Sequence, residues 1–274
     1  MKPLPWIFAV GIAPLAAALA WGQPVLKLAT TTSTQNSGIL EDLLPRFEAA
    51  NGIKVHVIAV GTGKAIQLGE QGDVDLVMAH APELELPAVE RGSFVDRTPI
   101  MFNEFVLLGP PEDPARVRQA PNVAEAMRRI AGGSPPFISR ADRSGTHAKE
   151  LALWEAAGIK PAGAGYQVVG QGMGATLRIA HERRAYTLSD DGTYFAFQSQ
   201  LDLAILSQRE PILTNPYAVM AVNPQKFPHV DHGRALALIR WLSSPEGQKP
   251  IGAFVRNGHQ LFTPGVPAEI STAR

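Results

Sequence analysis

The chain has 274 residues, with 25 basic and 25 acidic side chains, so its formal charge at neutral pH is zero. That balance excludes a general nucleic-acid or polybasic membrane surface, since either needs clustered Lys and Arg. There is no cysteine, which removes disulfides, thiolate chemistry and cysteine-ligated zinc or iron–sulfur centres. Hydrophobic residues make up 45% of the chain, and its length suits one large domain or two of about 100–150 residues with a buried core.

Residues 3–21 carry no charge and are mostly Ala, Leu, Ile, Val, Phe and Trp, interrupted by Pro3, Pro5 and Pro14. A spanning helix needs about 20 apolar residues with few breakers, whereas a secretory signal needs a shorter apolar core followed by small residues. Residues 1–22 therefore read as a signal peptide, cleaved after Ala20 or Gly22, with an uncleaved anchor as the alternative. A lipid anchor on cysteine is impossible. In either case the bulk of the chain is expected to work outside the cytoplasmic membrane, and no later segment is apolar enough to span.

Strand and helix then alternate. Residues 25–29 form a short apolar strand, and 37–50 a helix, because Ile39, Leu40, Leu43, Leu44 and Phe47 recur at helical spacing. Residues 55–60 are a β-branched strand, 64–70 a helix and 74–79 a buried strand. This βαβαβ order predicts an α/β fold with a parallel sheet covered by helices. Residues 105–108, followed by Gly109-Pro110-Pro111, read as a strand leaving that sheet. Helices are predicted over 123–131 and 149–157, with a strand over 136–139 between them. A strand over 217–222 and an amphipathic helix over 233–242 follow.

The informative chemistry lies at strand ends. Thr30-Thr31-Thr32-Ser33-Thr34 with Ser37 places six hydroxyls between a strand and a helix. One hydroxyl suffices to cap a helix, so the run points to an anion site as well as a cap. Gly61-Thr62-Gly63-Lys64 suggests a phosphate loop, but Ile58 and Ala65 stand where that motif needs Gly and Ser or Thr. What remains is a tight turn that lets backbone N–H groups and the Thr62 hydroxyl approach something small, or a plain strand-to-helix turn. At the third strand end, Arg140-Ala141-Asp142-Arg143-Ser144-Gly145-Thr146 joins a guanidinium fork to hydroxyl and backbone donors at a helix start. The alternative is that Arg140 merely pairs with Asp142 and Ser144 merely caps a helix.

Together with Gly72-Asp73-Val74-Asp75-Leu76, His80-Ala81-Pro82 and Tyr186-Thr187-Leu188-Ser189-Asp190-Asp191-Gly192-Thr193-Tyr194, these stretches resemble the periplasmic tungstate-binding proteins of tungstate ABC importers. The likeness runs from about Val25 to the C-terminus. It implies a type II periplasmic binding protein with two α/β lobes joined by two hinge crossings, near 105–108 and 217–222. One lobe would comprise 23–105 plus 216–274 and the other 106–215. The resemblance assigns the oxyanion to Thr31, Thr32, Ser33, Thr62, Arg140, Ser144, Gly145 and Thr146. It implies a periplasmic, monomeric capture protein with no cofactor, no enzymatic activity and an ABC permease as its partner. The chain departs from the family at Ala141 and Arg143, where Gly and Asp are expected.

Tungstate and molybdate are fully deprotonated dianions near neutral pH, so their site needs donors and no acceptor. Monohydrogen phosphate carries a proton and favours a facing carboxylate. Phosphate is therefore the chief competitor, and the direction in which Asp142 points separates the two. A periplasmic oxyanion sensor is a further alternative. A hydrolase built on Ser144, His147 and Asp142 is the least favoured, since it lacks the sharp elbow a nucleophile needs. His80 is open between lining the cleft and a structural role, and Arg178 between the cleft and a wet helix face. Trp154 and Trp241 read as core anchors.

Overall fold

The structure, a computed structural model, describes residues 25–132 and 134–266. The expected signal peptide, 1–22, lies outside the described residues. Strand β1 (Val25–Thr31) lies between β2 (Lys54–Val60) and β3 (Leu76–Ala79), parallel to both, as the βαβαβ order requires. Helices α1 (Thr32–Ser37), α2 (Ile39–Asn51) and α3 (Thr62–Glu70) make the connections. The helix expected over 37–50 is α2, and Ser37 ends the separate short helix α1 before it. Gly38 has φ +79°, a left-handed conformation that stops α1 before α2 buries Ile39, Leu40, Leu43, Leu44 and Phe47.

The sheet is not parallel throughout, which corrects the sequence expectation. After α4 (Pro82–Glu90) the chain enters the 16-residue strand β4 (Phe94–Gly109), of which the apolar pattern marks only 105–108. Asp96, Arg97, Pro99, Asn103 and Glu104 hide the first part of that strand in the sequence. There follow α5 (Val123–Ala131), β5 (Phe137–Ser139), α6 (Gly145–Ala156), β6 (Tyr166–Val168) and α7 (Met173–Glu182). Next come β7 (Thr187–Asp190), α8 (Asp191–Phe197) and β8 (Ala204–Ser207). Strand β9 (Thr214–Val222) then returns antiparallel to both β3 and β4. Helices α9 (His232–Ser243) and α10 (Pro245–Ala253) close the chain with short strands β10 (Val255–Arg256), β11 (His259–Gln260) and β12 (Thr263–Pro264).

Two long strands join two packed bodies. From Phe94 to Glu104 β4 pairs with β9, and from Phe105 to Leu108 it pairs with β7 instead. Side chains alternate across both faces of each sheet, as covered strands require. Leu28, Leu76, Met78 and Val219 pack with Leu43, Phe47 and Leu238, while Val77, Ala79, Met220 and Val222 pack with Ala65, Ile66 and Ala88. Beyond Glu104, Phe105 and Leu107 share a core with Met127, Trp154 and Tyr186, and Val106 and Leu108 share one with Ile138, Leu177 and Tyr194. Leu213 belongs to this second body and Tyr217 to the first, so the chain crosses back between them. The result is two α/β lobes joined by two crossings. Among the described residues no helix is long and apolar enough to cross a membrane.

Candidate functional site

Three parallel strands of the first lobe end on one edge, and each supplies a residue to the same gap. At the end of β1 the chain turns directly into α1, with Thr31 as the cap: its Oγ1 accepts from Thr34 N at 3.1 Å. The hydroxyl run is therefore divided in its work. Thr34 Oγ1 bonds Thr31 Oγ1 at 2.7 Å and Ser37 Oγ donates to the Thr34 carbonyl at 2.7 Å, so these two hold the turn. Thr31, Thr32 and Ser33 face the gap. At the end of β2, extended Gly61 precedes α3, and Thr62, 1% exposed, turns its hydroxyl inward. At the end of β3 stands His80, 3% exposed, whose Nε2 lies 2.9 Å from Ser33 Oγ and 3.2 Å from Thr31 Oγ1.

The turn after His80 is fixed by a buried ion pair. Glu85, in the first turns of α4, accepts from Ala81 N at 2.7 Å, and its other oxygen accepts from Arg97 Nε at 2.9 Å and Nη2 at 2.7 Å. Burial pushes the Glu85 carboxyl up, and the Arg97 charge opposes that rise.

The second lobe supplies the only cationic side chain that lines the gap among the described residues. Arg140 follows β5 and is 5% exposed. Asp142 Oδ2 accepts from its Nε at 3.1 Å and its Nη2 at 2.5 Å, while Asp142 Oδ1 accepts from Ser144 N at 3.1 Å. Burial raises the Asp142 carboxyl, but the hydrogen bonds from Ser144 and the Arg140 guanidinium together hold it below the ordinary range. Arg140 Nη1 donates to Thr146 Oγ1 at 3.4 Å, so the guanidinium is braced on two sides. Ser144 caps α6, accepting from His147 N at 3.3 Å. The two departures from the family pattern lie in this loop. Ala141 and Arg143 have φ of +51° and +60°, left-handed conformations that glycine adopts with less strain, and strain of this kind gathers at functional loops.

Beneath the loop, Ser139 Oγ and Tyr166 OH donate to the two oxygens of Glu150 at 2.8 and 2.7 Å. Burial pushes the Glu150 carboxyl up to about 7 in spite of those bonds. A carboxyl that holds its proton more tightly in the fold than in the unfolded chain stabilises the fold at acid pH and loses that contribution as pH rises through about 7. Glu150→Gln, which can still bond both hydroxyls, is expected to flatten this decline between about pH 5 and about pH 8 by on the order of 3 kcal/mol, read by thermal melts.

The gap is lined by Thr31, Thr32, Ser33, Val60, Gly61, Thr62, His80, Arg140, Ser144 and Thr146. Seven of the eight residues expected at the site line it. Gly145 does not: its N–H donates to Thr62 Oγ1 at 3.3 Å, a direct bond between the lobes that leaves the Thr62 hydrogen for the gap. His80 is open in the sequence reading, although its place after β3 matches that of Thr32 after β1 and Gly61 after β2. Ligands gather where neighbouring parallel strands end, and that signal singles it out. Asp142 does not line the gap. Arg178 lies over the Phe197 ring at 5.3 Å and is not among the lining residues.

The hydrolase arrangement does not form. Ser144 Oγ is held by the His147 backbone N–H, and the His147 ring accepts from Arg143 N at 3.2 Å, so no base faces the hydroxyl. His181, His229 and His232 are bonded separately to Asp202 N, the Gly72 carbonyl and Asp96, and His259 stacks on Phe195. Among the described residues no group of three His, Cys, Asp or Glu side chains could hold a metal ion.

Known proteins share this fold and this length. A family model described as "PBP superfamily domain" matches residues 19–246. The tungstate-binding protein TupA of Peptoclostridium acidaminophilum is 42% identical over 241 residues, covering 86% of this chain and 84% of that protein. A solved structure described as the tungstate ABC transporter from Geobacter sulfurreducens is 53% identical with a TM-score of 0.78, covering 84% of this chain and 98% of that one. The tungstate-binding protein TupA from Desulfovibrio alaskensis G20 is 42% identical with a TM-score of 0.79, covering 89% of this chain and all of that one. The chain belongs to the periplasmic-binding-protein superfamily and, within it, to the family of tungstate-binding proteins of ABC transporters.

Proposed function

We propose that this chain captures tungstate, and molybdate of like size and charge, in the gap between its lobes and delivers it to an ABC permease. Residues 23–105 with 216–274 form one lobe in this reading and 106–215 the other, and the protein works as a monomer in the periplasm. Thr31, Thr32, Ser33 and Thr62 hold the oxyanion from one side, and Arg140, Ser144 and Thr146 from the other, with Gly145 bracing Thr62 across the lobes. The tungsten is cargo, gripped through its oxygens. Donors on both lobes mean that the bound anion bridges them and favours the closed population.

The observation that carries the choice of ligand is the direction of Asp142. Both its oxygens are engaged by Arg140 and by Ser144 N, and among the described residues no carboxylate lines the gap. A fully deprotonated dianion finds hydroxyl donors and the Arg140 guanidinium there. Hydrogen phosphate finds no carboxylate to accept its proton. In calorimetric titration at equal pH and salt, tungstate and molybdate are expected to bind with Kd below about 1 μM and phosphate at least about 100-fold more weakly. Sub-micromolar phosphate binding without a tungstate response would overturn the reading.

A further inference from the structure

His80 has both ring nitrogens engaged at the back of the gap, and its hydrogen-bond partners fix where its proton sits. Nδ1 lies 2.9 Å from Asn215 Oδ1. That oxygen is the accepting end of the amide, because Asn215 Nδ2 donates to Asn103 Oδ1 at 2.7 Å. Nδ1 therefore carries a hydrogen. Burial lowers the basicity of the ring, the Asp190 carboxylate and the Asn215 hydrogen bond oppose that, and the Arg140 charge adds to the lowering. Tyr217 stacks on the imidazole at 4.5 Å and brings no charge. The free protein thus holds the ring neutral, with a lone pair on Nε2.

Hydrogen counting then gives an awkward result for an anion site. A lone pair on Nε2, 2.9 Å from Ser33 Oγ, requires the Ser33 hydrogen, because two facing lone pairs at that distance repel. Ser33 has one hydrogen and so has none left for a ligand oxygen. The charge count is equally incomplete. Arg140 is already paired with Asp142, so a dianion in the gap brings negative charge that this guanidinium only partly offsets, and such a charge is costly.

We propose that oxyanion capture is coupled to the uptake of one proton by His80. The proton from solvent adds to Nε2, the new Nε2–H donates to Ser33 Oγ, and the Ser33 hydrogen turns to the anion. One proton therefore adds one donor and one positive charge to the site. His80 acts through Ser33 as a positioning residue and as the second counter-charge. This inference rests on the dianion reading proposed above.

The test is calorimetric titration of the full chain with micromolar tungstate, in buffers of different ionisation enthalpy from about pH 6.5 to about pH 8.5, which counts protons taken up. About one proton per tungstate is expected between the free and bound pKa of His80, with affinity falling up to about tenfold per pH unit as pH rises across that interval. His80→Gln keeps an amide for Asn215 and Ser33 but cannot charge, so its uptake should fall below about 0.3 proton and its affinity lose its slope. Glu150→Gln, which removes a carboxyl that burial pushes up to about 7, should retain the uptake. Tight tungstate binding by the native chain with less than about 0.3 proton throughout would overturn the coupling and leave the oxyanion reading standing. Native-like uptake in His80→Gln would overturn the assignment to His80. No heat with either tungstate or molybdate would overturn both.

Discussion

Arg140→Ala is expected to weaken tungstate binding by about 2–5 kcal/mol, roughly 30-fold to a few thousandfold. The size follows from burial. Arg140 is 5% exposed and is the only cationic side chain lining the gap among the described residues, with Asp142 and Thr146 fixing its plane. A pre-aligned fork gives up little freedom on binding and meets two oxygens at once. Arg140→Lys should recover part of the loss, since an ammonium supplies charge without the fork. Calorimetry on both variants, with circular dichroism to verify folding, measures the effect. Unchanged affinity in Arg140→Ala would remove that arginine from the site.

Arg97→Ala is expected to destabilise the fold by about 3–5 kcal/mol at neutral pH, because it strands a buried carboxylate. The Glu85 side chain is 0% exposed and that of Arg97 17%. Without the guanidinium, burial lifts the Glu85 carboxyl still further, so acidification protonates it and relieves the loss. The deficit against the native chain should therefore grow as pH rises, which chemical denaturation at several pH values would show. Binding should suffer too, since Glu85 anchors Ala81 N beside His80. A stability loss that shrinks with rising pH would contradict the buried-charge account.

Where residues with local preferences set the structure, the sequence could be read directly. The helix over Val123–Ala131 was expected at those bounds, because Asn122 caps it and Val123, Ala126, Met127 and Ile130 repeat on one face. The gap-facing donors were legible for a related reason. A hydroxyl run, a Gly-Thr-Gly turn and an arginine before a helix start are short stretches whose chemistry does not depend on distant partners. The first part of β4 was hidden because its half-exposed edge carries polar residues and Pro99, and only pairing with β9 makes it a strand. His80 was left open because its role comes from Asn215, 135 residues away, and from Asn103 on the facing strand. Asp142 could be read as pairing with Arg140 or as facing the ligand, and only the loop's left-handed turns at Ala141 and Arg143 decide which.

The most direct test is anomalous scattering at a tungsten absorption edge from crystals of the full chain grown with tungstate. A single strong peak is expected in the gap between Thr62 on one lobe and Arg140 on the other, with ligand oxygens within hydrogen-bond reach of both. A peak on the outer surface of either lobe, or tungsten bonded to a carboxylate outside the gap, would contradict the account.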